Sequence, residues 1–160
     1  MILREGRVIP GLLYLKNFIS GQERERILEI VRGNPWCQHL KRKQQYYGIK
    51  YFQTKVADYV LQPPLSENHL PLQLLQFVID KTVQKHGFFK QDHPPNQVLV
   101  NQYLRSDRLG FHVEDRTAFG DVIVGISIGS KEYLRLDSLE DPSIEYKLEL
   151  EDSSCYVLAG

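Results

Sequence analysis

His112 and Glu114 stand one residue apart in the segment Gly110-Phe-His-Val-Glu114. On an extended strand, residues i and i+2 point to the same face. That spacing aims one imidazole and one carboxylate at a common point. The pair is two-thirds of the 2-His-1-carboxylate triad that holds non-haem Fe(II) and leaves positions open for reactants. Asn101 and Tyr103, just upstream, repeat the spacing and put an amide and a phenol on one strand face. Alone, each pair also reads as the polar face of an ordinary strand, and a lone H-x-E is a weak signal. Asp115 is an alternative ligand if a bulge turns it inward.

The elements that would position these residues are strands. From residue 96 onward, 98–100, 109–113, 122–128, 133–136, 144–150 and 154–158 are short β patterns separated by turn signals, Asp141-Pro142 among them. Many short strands of this kind predict a sandwich or barrel. The first half differs. Pro10-Gly11 punctuates a strand-and-turn pattern over 7–15. Ser20-Gly-Gln-Glu23 fits a capping box. The helix behind it carries Ile27, Ile30 and Val31 on one face and stops at Gly33-Asn34-Pro35. A second helix begins near Pro71, with Leu72, Leu75, Val78, Ile79 and Val83 at helical spacing and Gly87 as its stop. Between the helices, 40–61 is rich in charge and aromatics, with Gly48 between two aromatic runs, and predicts a bent ribbon. The sum is an α+β chain, two helices flanking a β-rich half, read as one domain over 1–160.

Composition narrows the function class. The chain has 160 residues, 42% hydrophobic and 25% charged, with zero net charge. No apolar run approaches the roughly 20 residues that span a bilayer, and charged residues interrupt the N-terminus where a secretory signal would be apolar. Two cysteines, Cys37 and Cys155, make neither a disulfide framework nor a zinc motif. A reducing cytoplasmic or nuclear setting is expected. The charge is unevenly spread: residues 1–60 hold 11 Lys/Arg against 5 Asp/Glu, and 131–160 hold 3 against 8. Basic charge interleaved with Trp36, Tyr46, Tyr47, Tyr51, Phe52 and Tyr59 suits nucleic acid, whose phosphates attract cations and whose bases stack on rings. The plainer reading makes the aromatics core and the lysines solvated rim.

Taken in order, these segments resemble the AlkB family of Fe(II)/2-oxoglutarate dioxygenases, from about Gly11 to Gly160. The resemblance rests on Asn101-Gln-Tyr103, His112-Val-Glu114, Ile123-Val-Gly-Ile-Ser-Ile-Gly129 with Ser130, and Ser154-Cys-Tyr-Val-Leu-Ala-Gly160. It implies a double-stranded β-helix (jelly-roll) core. It implies His112 and Glu114 as iron ligands, and Asn101 and Tyr103 as residues that hydrogen-bond 2-oxoglutarate. Gln45-Tyr46-Tyr47-Gly48, with Tyr51 beyond, resembles the family's aromatic hairpin over the substrate, so Tyr46, Tyr47, Gly48 and Tyr51 are expected to bind it. The activity implied is oxidative demethylation or hydroxylation of alkylated RNA, tRNA or DNA, with a protein substrate as a further option. The cofactor carries that chemistry, and the protein positions and shields it.

Two departures bear on this expectation. Glu114 stands where the family usually has Asp, one methylene longer and with one more rotor. The five histidines are His39, His69, His86, His93 and His112, so none follows His112. The family takes its second iron histidine, and the two arginines that hold 2-oxoglutarate, from beyond a strand resembling 154–160. After Arg116 this chain has only Arg135. The domain is therefore expected to be C-terminally incomplete. Three accounts compete: a fragment of a complete enzyme, a short form that binds RNA or a protein partner without catalysis, or a site completed by an upstream histidine.

Overall fold

In the computed structural model, regular structure follows most of the sequence signals. The structure describes residues 2–3, 6–37, 42–48, 50–53, 59–62, 72–105, 107, 109–114, 119–141 and 143–159; for 2–3, 7–8, 50–53, 59–62 and 72 the backbone alone is described. In chain order the elements are β1 (Ile2–Leu3), β2 (Gly6–Ile9), β3 (Leu12–Leu15), α1 (Gly21–Arg32), β4 (Lys43–Gly48), β5 (Lys50–Gln53), β6 (Tyr59–Gln62), α2 (Leu72–Ile79), β7 (Gln97–Gln102), β8 (Val122–Ser127), β9 (Glu132–Asp137), β10 (Glu145–Leu150) and β11 (Ser154–Ala159). After Ile79, α2 widens into a π turn over Asp80–Lys85. Two compact units result: residues 1–26 with 119–160, and residues 27–118.

The first unit is built from two sheets. One runs β2-β3-β11-β8, all antiparallel, and the other β1-β10-β9. Leu12 and Tyr14 of β3 and Leu148 of β10 are buried together, with Leu134, Leu136, Tyr146 and Leu150 from one sheet and Ile9, Tyr156 and Leu158 from the other packed around them. Alternate residues of each strand thus meet across one core, the arrangement of a β sandwich. The outer face of β9 and β10 is charged, with Arg135 pairing with Glu145 and Lys131 with Glu149. Gly125 lies opposite Tyr156. A Cβ there would stand 2.2 Å from the tyrosine ring, so only glycine lets that ring lie across β8. The Cys155 thiol is buried and pushed up to about 12 by desolvation, which leaves it to pack, not react.

The start of α1 belongs to this unit. The Ser20 amide donates to Glu23 Oε2 (2.7 Å) and the Glu23 amide to Ser20 Oγ (3.2 Å), the reciprocal capping box expected. Asp152 ties the helix start to the β8–β9 turn. Its Oδ1 accepts from the Gly129 amide (2.7 Å) and from Arg24 Nε (3.1 Å). The Gly129 hydrogen bond first, and Arg24 after it, hold the Asp152 carboxyl below its ordinary value of 3.8. A depressed folded-state pKa contributes stability above the unfolded value, and that stability is lost as pH falls through the folded one. The stability difference between wild type and Asp152→Asn should therefore shrink as pH drops from about 5 to 2 and stay flat above. Urea melts across that range check it; a difference independent of pH would refute it.

The second unit holds the residues singled out for chemistry. β4 and β7 pair antiparallel, with Gln44 opposite Asn101 and Tyr46 opposite Leu99. One face of this ribbon carries Gln45 and Tyr47, both buried. Gln45 closes the end of α1: its Nε2 donates to the carbonyls of Val31 (2.9 Å) and Asn34 (2.8 Å), and its Oε1 accepts from the Tyr47 hydroxyl (2.7 Å). Asn34 Nδ2 takes the Ile30 carbonyl. Two side chains thereby satisfy carbonyls that a helix end leaves open. Gly48 sits at φ +81°, and a Cβ there would stand 2.2 Å from the Asn96 carbonyl oxygen. The ribbon bends at that glycine: β5 begins at Lys50 and pairs with β6 in a separate sheet.

One expected strand is not formed. Residues 109–114 lie outside every strand. β7 stops at Gln102, and the next residues close on themselves: the Asp107 amide donates to the Leu104 carbonyl (2.9 Å), and the Leu104 amide to Asp107 Oδ2 (2.7 Å). A side chain that takes the backbone donor ends the ladder. Leu104, Leu109, Phe111 and Val113 are all exposed. Otherwise the α+β class and the jelly-roll strand core hold.

Candidate metal centre and co-substrate face

His112 and Glu114 face each other without strand geometry. His112 Nε2 and Glu114 Oε1 are 3.3 Å apart, with side chains 46% and 43% exposed. The other ring nitrogen, Nδ1, is 2.9 Å from the Gly110 carbonyl oxygen. A carbonyl only accepts, so Nδ1 carries the hydrogen. In the neutral ring, Nε2 is then a bare lone pair turned toward a carboxylate oxygen. Two Lewis bases so placed suit a cation between them. Neighbouring ligands on an octahedral ion, each about 2.1 Å from it, stand about 3 Å apart. The separation, the nitrogen–oxygen donor set and the backbone acceptor that orients the ring all fit a transition ion such as Fe(II). The longer Glu114 side chain still reaches this position. Among the described residues no third His, Cys, Asp or Glu joins the pair. His93 pairs with Asp92, and His86 stacks on Phe88. His39, His69 and Asp115, the other ligand options, lie outside the described residues.

Asn101 belongs to the other face of the β4–β7 ribbon, and Tyr103 lies just beyond the end of β7. Asn101 Oδ1 accepts from Gln44 Nε2 (2.8 Å) and from Arg42 Nε (3.2 Å), and Gln44 Oε1 accepts from the Tyr46 hydroxyl (2.9 Å). Tyr103 follows β7 within reach of the Arg42 charge. Desolvation raises its pKa, opposed by the charge of Arg42, so the phenol is neutral and keeps its proton. Sequence patterns alone do not single out Arg42 and Gln44. The signal for them is the register: once Gln44 is opposite Asn101, the period of two carries Arg42, Gln44 and Tyr46 onto one face.

The four aromatic-hairpin residues divide. Tyr46 is half-buried, on the polar face with Asn101. Tyr47 is 1% exposed with its hydroxyl held by Gln45, so its ring packs the core and offers no face to a substrate. Gly48 makes the bend. Tyr51 lies on β5, its side chain outside what is described.

A family model described as the 2OG-Fe(II) oxygenase superfamily matches residues 11–160. An uncharacterized protein, L905, of Acanthamoeba polyphaga mimivirus is 19% identical over 156 residues, covering 98% of this chain and 70% of its own length. The tRNA (carboxymethyluridine(34)-5-O)-methyltransferase ALKBH8 of Mus musculus is 28% identical over 159 residues, 94% of this chain. The chain spans only 23% of that protein's length. Among solved structures, that of OsALKBH1 superposes with a TM-score of 0.66 at 21% identity, covering 94% of this chain and 80% of its own.

Proposed function

The chain belongs to the 2OG-Fe(II) oxygenase superfamily and is AlkB-like within it, and from that premise we propose that it is an oxidative demethylase or hydroxylase acting on alkylated nucleic acid. The observation that carries this reading is the 3.3 Å approach of His112 Nε2 and Glu114 Oε1, with the opposite ring nitrogen fixed by the Gly110 carbonyl. In this reading His112 and Glu114 bind Fe(II), and Asn101 and Tyr103 hydrogen-bond 2-oxoglutarate. The iron with its co-substrate supplies oxidation of a substrate C–H bond, and on an N-methyl group the hydroxylated carbon leaves as formaldehyde. The protein's own work is to hold the imidazole in one tautomer, orient the keto acid and present the target. Nucleic acid is favoured by the basic, aromatic composition of 36–53, where Arg42 and Tyr46 share one face of β4 and its approach. The name of the mouse relative, a tRNA methyltransferase, is in keeping with it. We place all these roles in a single domain.

The test is direct. The 160-residue chain, given Fe(II), 2-oxoglutarate and methylated RNA and DNA oligonucleotides, should release succinate and formaldehyde with at least one of them. Keto-acid consumption without any nucleic-acid product would sink the substrate assignment. A second reading, a binding module without catalysis, is favoured by the two-ligand set found among the described residues. It predicts RNA binding with strong salt dependence and no affinity for Fe(II) or Mn(II).

A further inference from the structure

The connection from the π turn to β7 holds groups that neither the metal pair nor the ribbon uses. We propose that Lys85-His-Gly-Phe-Phe-Lys90 is a contact surface for single-stranded nucleic acid, the lysines taking phosphates and the His86 ring taking a base. The inference deepens the nucleic-acid part of the reading above and is independent of the iron centre. Lys85, His86 and Lys90 are exposed, and Phe88 and Phe89 are half-buried. The His86 and Phe88 rings stack, with centroids 5.2 Å apart and planes 24° from parallel. Among the described residues neither lysine has an ion-pair partner. The nearby acids are engaged. Asp80 Oδ1 accepts from Gln76 Nε2 (2.8 Å), and Asp92 Oδ1 lies 3.0 Å from His93 Nδ1.

The backbone holds these groups in place. The His86 amide donates to the Lys81 carbonyl (3.2 Å), the Gly87 amide to Val83 (3.1 Å) and the Phe88 amide to Thr82 (2.7 Å). Gly87 stands at φ +63°, the left-handed conformation that ends a helix. Thr82 is fully buried, and its hydroxyl donates to the Val78 carbonyl (2.7 Å), so the loop is anchored to the interior of its unit. A surface already ordered loses less freedom when it binds. A ring laid on another ring offers a flat face, and every base has a face to stack on it. Lysines without an ion pair give none up when they meet a phosphate, and each phosphate neutralised releases counterions. Packing at the edge of a core accounts for Phe88 and Phe89. It does not account for an exposed imidazole stacked on Phe88, with an unpaired cation on either side of the stack in sequence.

Fluorescence anisotropy with a labelled, unmodified oligouridylate should show binding that weakens as salt rises. The double variant Lys85→Gln/Lys90→Gln should bind about 10-fold more weakly at low salt, and its slope of log affinity against log salt should be shallower by about 1.4, about 0.7 for each phosphate. His86→Ala should cost at least about 5-fold with the slope unchanged, because stacking is not ionic. His86→Tyr keeps a ring and should bind as wild type does. Lys131→Gln/Lys147→Gln removes the same charge from lysines committed to Glu149 and Glu145, and should also bind as wild type does. The substituted side chains at 85, 86 and 90 are exposed, so melting temperatures should stay at the wild-type value. If the 85/90 and His86→Ala variants bind as wild type does, or the 131/147 pair weakens binding as much, the assignment is wrong. An acidic peptide would need the lysines alone, so a loss in the 85/90 variant with none in His86→Ala also overturns it. A wild-type chain that binds no oligonucleotide would overturn the nucleic-acid reading itself, and this inference with it.

Discussion

Replacing His112 by Ala is expected to lower Mn(II) or Fe(II) affinity by at least about 100-fold and to abolish keto-acid consumption. Loss of groups that only orient a metal ligand already costs about 10–100-fold, and a ligand lost from a two-residue set leaves a single carboxylate. Glu114→Gln should do the same, because an amide oxygen lacks the charge that offsets the metal's. Neither change should alter the melting temperature measurably. Both side chains are nearly half exposed, and surface substitutions usually stay within about 0.5 kcal/mol. That combination, metal affinity gone and stability intact, separates a metal site from a surface ion pair. The two readings make opposite demands on the metal-free protein. If the pair is only a salt link, wild type and His112→Ala will bind Mn(II) equally poorly, and the proposed iron centre falls. Equilibrium dialysis against Mn(II), with thermal melts of the same samples, decides the matter without turnover.

The parts of this molecule that were legible in the sequence are those set by local rules. Ser20 and Glu23 cap α1 because the box needs only residues three apart. Pro10-Gly11 turns the chain, with Gly11 at φ +78°, because few other residues accept that backbone. The strand ends after residue 120 followed the turn residues to within a position or two. What could not be read depends on pairing across long separations. Nothing local to Asn101 says that Gln44, 57 residues earlier, will face it. Without that register Arg42 was one basic residue among several, and Tyr46 and Tyr47 were equivalent. The register separates them: one tyrosine joins the polar face and its neighbour is sealed into the core. The strand expected over 109–113 failed for a related reason. Apolar alternation predicts a strand only where a partner strand supplies hydrogen bonds, and here the Leu104–Asp107 turn intervenes. The two side chains nevertheless converge, because an i, i+2 pair can also meet in an irregular loop when one member is anchored, as His112 is to Gly110.

Replacing Gln45 by Leu should destabilise the second unit by about 3–5 kcal/mol, the largest stability effect expected of any single change in the ribbon. The apolar isostere removes both donors and the acceptor at once. It strands the Asn34 carbonyl, takes the 2.7 Å acceptor from the Tyr47 hydroxyl and leaves that hydroxyl to the Asn34 side chain, and leaves the Val31 carbonyl, among the described residues, with the long Asn34 amide contact of 3.4 Å. Each buried group left without a partner costs about 1–3 kcal/mol, so Leu cannot compensate by its greater hydrophobicity. Gln45 joins the helix end to the β4–β7 ribbon that carries the Arg42–Asn101 face, so under the proposed function loss of keto-acid affinity should accompany the loss of stability. Tyr47 gives an independent readout. Burial pushes its phenol up to about 12 from 10.0. A raised folded-state pKa contributes stability below the unfolded value, and that stability is lost as pH rises through the folded one. Wild-type stability should consequently fall between pH 10 and 12, and in Gln45→Leu a loosened Tyr47 should ionise nearer 10, so that less of the alkaline loss remains. Absorbance titration of the tyrosines alongside urea melts at each pH measures both. If Gln45→Leu melts with wild type and Tyr47 titrates unchanged, the ribbon is held by its apolar contacts, and the hydrogen-bonded link between α1 and the ribbon has no structural weight.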